Sequence, residues 1–294
     1  MKIMLTILTS NNISRLERLV HNIKEIYPVK GVELKPIIVV NSLNKNYMQE
    51  VLLKKFPYPV VETESNGRPG KGKNSCLDLF LSSDCDFVSQ IDGDDILYPS
   101  YLQSIVNHIN HFPCIDVLGV IPTDIIVDKA YAGYKIDISE NLQAGVWGIS
   151  LVTPSKTLGI GPSHIWEERL PKSTDFIILQ SKKSAKFKMD EDLPVAEDHL
   201  YSYNLLSEHQ KGNICYFLTM SSDMYIVDRT TKGSVQKQYK QEDSVDLFKQ
   251  KVLQYVSKWR SSIWELPIMY KDLYMNHLDK EKWLKVFVNK HPVD

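Results

Sequence analysis

Across its first 120 residues the chain alternates short apolar runs with segments of helical periodicity, and this alternation leaves few architectures open. Lys2–Thr9 is an apolar run closed by the polar Ser10-Asn11-Asn12. Leu16, Leu19, Val20, Ile23 and Ile26 then recur at helical spacing, with Ser14 as the expected cap. Pro36–Val40, Pro59–Glu62, Phe87–Ile91 and Ile115–Ile121 read as further strands. Tyr47–Phe56, Ser75–Leu81 and Ser100–His111 read as the intervening helices. Short, continuously apolar strands joined by helices predict a mainly parallel sheet covered on both faces. Ligands of such sheets bind beyond the carboxyl ends of the strands. Thr9-Ser10-Asn11, Asn41-Ser42 and Asp92–Asp95 end three of the strands, so their common edge is the expected site.

The second half is less regular. Val146–Val152, Ile214–Thr219 and Met224–Val227 read as strands and Ala196–Ser207 as a helix. From about Asp243 onward the pattern is helical and aromatic-rich, with Trp259, Trp264, Tyr270, Tyr274 and Trp283 expected in core packing. No repeat or low-complexity linker divides the chain. The expected organisation is one α/β domain over residues 1–240 with a helical extension, 241–294, packed on it. Thirty-five basic and 36 acidic side chains give a net charge of −1, which announces neither a nucleic-acid nor a membrane partner. Four cysteines without CxxC spacing read as reduced thiols, and no apolar stretch reaches the length of a membrane span. The expectation is a soluble, cytoplasmic protein.

Asp92-Gly93-Asp94-Asp95 directly follows an apolar strand. At an extended strand end, residues 92 and 94 point the same way, and two adjacent carboxylates repel unless a cation lies between them. Mg2+ or Mn2+ fits, because hard cations take oxygens from one or two carboxylates together with phosphates. The competing reading is a polar turn, with Asp95 serving the helix that follows.

Asn66–Asn74 reads NGRPGKGKN. Its glycines expose backbone N–H groups, Arg68, Lys71 and Lys73 add charge, and a helix N-terminus follows, so a phosphate cradle is one reading. Gly67 to Lys73 also matches GxxxxGK, the loop of phosphate-loop NTPases and kinases, but Asn74 stands where Ser or Thr should meet magnesium. A plain solvated loop is the third reading. Glu197-Asp198 opens the predicted helix. One carboxylate there is placed either to take a proton from an acceptor hydroxyl or merely to cap the helix. Two basic stretches, Lys182–Lys188 and Arg229–Lys240, contain no acid. Each is either a solvated face or, if both line one groove, a contact for a nucleic-acid backbone. The eight histidines lack ligand spacing.

Taken in order, these pieces resemble the inverting GT-A glycosyltransferases often called family two, over about residues 1–240. Thr9-Ser10-Asn11 stands where that family holds the nucleotide after its first strand. Asn41 stands where a second-strand aspartate contacts uracil. Asn66-Gly67 through Lys73-Asn74 resembles the Asn-x-Gly…Arg-Asn stretch, and Asp92–Asp95 with Pro99 resembles the Asp-x-Asp-Asp element. Glu197-Asp198 resembles the base motif, and Arg229…Ser234 the late loop over the diphosphate.

The resemblance implies a GT-A, Rossmann-like fold and transfer of one sugar from a nucleoside-diphosphate sugar, a UDP-sugar first, with inversion. It implies Mn2+ or Mg2+ on Asp94 helped by Asp92, and Asp198 as the base. Asn11, Asn41 and Asp95 would face the nucleoside, and Lys73 and Arg229 the phosphates, with Thr9, Gly67 and Asn74 lining the donor. Asn41 in place of Asp departs from the pattern, as does the lack of histidine in the late loop. The Gln-x-x-Arg-Trp motif and membrane helices of processive synthases are absent. SNGRPGKGKNS with a downstream IDGDD is also similar to glycosyltransferases of tailed bacteriophages. That similarity implies an acceptor in hydroxymethylated DNA and the host cytoplasm as location, against a surface polysaccharide or lipid-linked glycan. The rival classes are a phosphate-loop enzyme using Gly67–Lys73 and a non-catalytic carbohydrate- or DNA-binding protein on the same scaffold.

Overall fold

The computed structural model describes residues 1–120, 124–127, 130–133, 176–194, 197–219, 224–228, 268–269 and 280–293. Among them, Lys2–Thr9 (β1), Glu33–Val40 (β2), Val60–Glu62 (β3) and Phe87–Asp92 (β4) form one half of an eight-stranded sheet. Val117–Val120 (β6), Phe176–Ser181 (β9), Tyr216–Thr219 (β10) and Ile268–Met269 (β12) form the other half. The order is β3-β2-β1-β4-β9-β6-β10-β12. Pairing is parallel except at β9, which runs antiparallel to both β4 and β6. A second sheet has the order β5-β11-β7-β8, with Ile96–Leu97 (β5), Tyr225–Asp228 (β11), Asp124–Val127 (β7) and Ala130–Gly133 (β8). The helices are Ile13–Ile23 (α1), Lys45–Leu53 (α2), Pro69–Leu81 (α3), Tyr101–His111 (α4), Glu197–Gln210 (α5) and Lys280–Lys290 (α6). The expected mainly parallel, helix-flanked sheet is therefore the observed one.

β1 is central, and Ile3, Leu5 and Ile7 are fully buried together with Leu16 and Leu19 of α1 and Ile38 and Val40 of β2. Burial on both faces is why this strand reads as an unbroken apolar run rather than an alternation. β2 begins three residues before Pro36, because Glu33 pairs with Lys2 in the β1 register. Asn12, not Ser14, caps α1: its side chain accepts from the Arg15 amide at 3.2 Å, and the Ser14 hydroxyl donates to the same oxygen at 3.1 Å. A residue at the cap must leave helical geometry, and Asn12 does so with φ −132°.

The tail is not uniformly helical, since β12 adds a parallel strand beside β10. α6 packs Leu284 and Phe287 against Ile96, Tyr98 and Ile226. Trp283 lies 5.4 Å from the Tyr98 ring and donates to Glu25 at 3.1 Å. Val146–Val152, Arg229–Lys240 and the aromatic residues Trp259, Trp264, Tyr270 and Tyr274 lie outside the described residues. Among the described residues no helix is long and apolar enough to cross a membrane.

Candidate active site

The carboxyl ends of β1, β2 and β4 are stitched into one edge. The Asn41 amide donates to the Thr9 carbonyl at 2.8 Å, and the Gly93 amide donates to the Leu8 carbonyl at 2.7 Å. A Cβ on Gly93 would sit 3.0 Å from that Leu8 carbonyl oxygen, so the turn after β4 lies hard against β1. Asp92, Lys73 and Asp198 then line one cleft, with Gln90, Met189, Tyr201 and Tyr225. These three come from β4, α3 and α5, and their side chains meet because the sheet edge, the helix after the glycine-rich segment and the second-half helix converge there.

Lys73 is the cation of this cleft. Its ammonium lies 2.8 Å from Glu197, with the side chains 16% and 6% exposed. Burial opposes the charge on Lys73, but Glu197, Asp92 and Asp198 together outweigh it and hold the ammonium above its ordinary range. Burial pushes the Glu197 carboxyl up while Lys73 counters it. Glu197 and Asp198 both lie in the first turn of α5, where the helix dipole favours anions.

From Pro69 onward the glycine-rich segment is helix rather than loop. Helix α3 starts at Pro69, a residue suited to the first helical position, so Gly70, Gly72 and Lys73 are helical. Its glycines answer to packing: a Cβ on Gly70 would lie 2.2 Å from the Asp190 carbonyl oxygen, and one on Gly72 2.6 Å from the Asn41 side-chain Nδ2. Asn74 donates to the Met189 carbonyl at 3.0 Å and accepts from its amide at 2.8 Å, while Asn66 donates to the Glu191 carbonyl at 3.1 Å. The segment thus docks residues 189–191, the lead-in to the Asp198 helix. Asn74 is spent on that junction rather than on a donor. Gly67, at φ +75° and facing Leu43, makes the turn into it. The phosphate-loop reading loses its support there too, since its lysine is paired to Glu197 and its second glycine, Gly72, is inside the helix while Gly67 precedes it. Gly70→Ala is expected to cost about 2 kcal/mol, or roughly 4–8 °C in Tm, because backbone must move. Gly72→Ala meets side chains rather than backbone, those of Asn41 and Leu8, and should cost less even though Asn41 must loosen its bonds to Arg68 and Thr63. Thermal melts of the two variants check the order.

The remaining expected contacts divide. Thr9 is buried, and its hydroxyl lies 2.5 Å from that of Tyr47. Asn41 is 7% exposed, donates to the Arg68 carbonyl at 3.1 Å and accepts from Thr63 at 3.1 Å, so it closes β2 onto α3. Asn11 is exposed at the rim. Asp95 does not face a nucleoside: it is 4% exposed, its carboxylate accepts from the Tyr225 hydroxyl, and it accepts from the Asp228 amide at 2.9 Å. Its position one residue beyond the strand-end alternation turns it into the fold. Burial pushes its carboxyl well above the ordinary range, and Asp94 and Asp92 push it further. Arg229 lies outside the described residues.

That mutual repulsion bears on a metal. Among the described residues no cluster of three or more His, Cys, Asp or Glu side chains could hold an ion by itself. Two partly exposed carboxylates, Asp92 and Asp94, at one strand end fit a hard cation that completes its shell with phosphate oxygens. A cation there would also offset the repulsion acting on Asp95. Of the first basic stretch, Lys182 donates to the Ser83 carbonyl at 2.5 Å, Lys183 lies 3.5 Å from Asp116, and Lys188 lies 2.6 Å from Asp78. Three of its four lysines are thus engaged within the protein.

No family model matches the sequence, and no curated protein matches it. Solved structures do. Staphylococcus aureus TarS residues 1–349 in complex with UDP-GlcNAc aligns at a TM-score of 0.58 and 18% identity, over 86% of this chain and 66% of that one. TarS itself aligns at 0.54 and 17%, over 99% and 43%. TarS 1–349 in complex with UDP aligns at 0.51 and 16%, over 99% and 81%. The chain shares their fold. It spans 66% and 43% of the lengths of the first two.

Buried arginines under the acidic turn were not anticipated. Arg15 and Arg18 of α1 lie 2.6 and 2.7 Å from Asp228, with all three side chains at most 2% exposed. The available signal was their position, since residues 15, 18 and 22 form a polar stripe beside the apolar stripe of α1.

Proposed function

We propose that this protein is a metal-dependent glycosyltransferase that moves one sugar from a nucleoside-diphosphate sugar to an acceptor hydroxyl with inversion. The observation that carries the reading is the convergence of Asp92, Lys73 and Asp198 on one cleft at the carboxyl edge of the sheet. The TarS structure of the same fold binding UDP-GlcNAc supports it and makes UDP-sugars the first donors to test. Asp198 takes the acceptor proton as that oxygen attacks the anomeric carbon, and the bond from that carbon to the diphosphate breaks with the electron pair leaving on the diphosphate. Attack from the side opposite the leaving group inverts the centre. Asp94 and Asp92 would hold a divalent cation, Mn2+ or Mg2+, which when bound would supply positive charge to the leaving diphosphate. Lys73 keeps a fixed positive charge among Glu197, Asp92 and Asp198, and Arg229 follows directly on β11 for the phosphates. The engaged lysines of Lys182–Lys188 favour a glycan hydroxyl over DNA as acceptor.

A thermal-shift screen of nucleotide-sugars with and without Mn2+ tests this. At 100 times its Kd a ligand stabilises by about 2.7 kcal/mol, expected as a rise of several degrees that needs both UDP-sugar and metal. A panel without any metal-dependent shift would refute the reading. A gel shift with plain and hydroxymethylated DNA across a salt series tests the acceptor, and salt-sensitive retention of the modified DNA alone would restore DNA.

A further inference from the structure

The polar stripe of α1 reaches the acidic turn at two places. Arg18 donates to the Asp94 carbonyl at 2.6 Å. Asn22, fully buried, donates to the Leu97 carbonyl at 2.7 Å and accepts from the Leu97 amide at 2.6 Å. Asn22 thereby serves β5 as an adjacent strand would. Arg18 also holds Asp228, which Arg15 shares, and the Asp228 amide donates to Asp95. Burial pushes the Arg18 guanidinium down, and Asp228 is what sustains its charge. A buried ionic group of this kind is weak evidence for stability, because the desolvation of each ion offsets the attraction. Residues 94, 95 and 97 are each gripped from α1 or from β11, while Asp92 and Asp94 keep partly exposed carboxylates above them.

We propose that Arg18 and Asn22 are positioning residues that clamp the Asp92–Leu97 segment, presetting the two carboxylates for a divalent cation and joining them through Asp228 to β11. The inference rests on the metal–diphosphate reading of that turn. Supports one shell behind metal ligands characteristically change metal affinity about 10–100-fold.

Arg18→Lys is the first variant. A lysine still meets Asp228, but one ammonium lacks the planar fork that reaches Asp228 and the Asp94 carbonyl together. Asn22→Leu, of similar size, removes only the Leu97 bonds. The measurements are Mn2+ affinity in the presence of UDP, by electron paramagnetic resonance, and amide hydrogen exchange over residues 92–97. The expected result for each variant is at least tenfold weaker Mn2+ binding, faster exchange over that segment, and unchanged UDP binding without metal. Wild-type Mn2+ affinity and wild-type exchange in a folded variant overturn the clamp. If Asn22→Leu fails to fold, Arg18→Lys decides by the same criteria; if Arg18→Lys fails, Asn22→Leu decides. If neither folds, global stability depends on the pair and the positioning role is overturned. Wild-type protein that binds no Mn2+ with UDP refutes the functional reading alone, and faster exchange in the variants then still upholds the clamp.

Discussion

Asp94→Ala is expected to lower sugar transfer about a thousandfold while leaving the melting temperature within a degree or two. The loss follows from removing one of two carboxylates suited to a cation whose charge contributes several kcal/mol to bond cleavage, each ~1.4 kcal/mol being tenfold in rate. The fold should survive because the Asp94 side chain is partly exposed, and Arg18 holds the turn through the Asp94 carbonyl, which the substitution keeps. Turnover is measured against Mn2+ concentration with the donor found by thermal shift. Full turnover of the variant in manganese would remove Asp94 from the site.

Asp198→Asn is expected to lower turnover about 10²–10⁴-fold and to leave donor binding intact. Asn matches Asp in size and keeps a hydrogen-bonding group in the first turn of α5, so the helix should hold. What it cannot do is accept a proton from an attacking hydroxyl. The residue lines the cleft beside Lys73 and Asp92, whereas its neighbour Glu197 is 4% exposed and paired to Lys73. Of the two adjacent acids, Asp198 is thus the one presented to the cleft, and Glu197 the one that ties α5 to α3. The checks are the donor Kd, by calorimetry, and single-turnover rates with acceptor. An Asn variant with wild-type turnover would reduce Asp198 to a helix-start residue.

Most elements of the first 120 residues were legible because they are written locally; β5, two residues long, and the first turns of α3 were not. β1 is an apolar run whose residues are buried on both faces, and α1 carries its apolar stripe at 16, 19, 20 and 23. The polar clusters at the strand ends pointed to the shared edge of the parallel sheet, although of their residues Asp92 alone lines the cleft there. The glycine-rich segment misled because the need for its glycines is not local. Gly70 has no side chain on account of a carbonyl at Asp190, 120 positions on, and nothing in NGRPGKGKN records that neighbour. Phe176–Ser181 was missed as a strand, although its Phe-Ile-Ile-Leu core is plain, because it enters antiparallel between β4 and β6 and belongs to no alternating unit.

By itself, the sequence determined the β1–β4 half of the sheet, the helices between those strands and the edge where Asp92 and Asp94 stand, because apolar periodicity and strand-end polarity are properties of neighbouring residues. Only the tertiary structure decided which charges are outward and which are inward. Arg15 and Arg18 are buried because Asp228, more than 200 residues away, arrives beside them on β11. Asp95 is turned from the cleft because Tyr225 and Asp228 offer it hydrogen bonds. A buried ion persists only where the fold supplies its partner, and that partner is set by packing rather than by spacing along the chain.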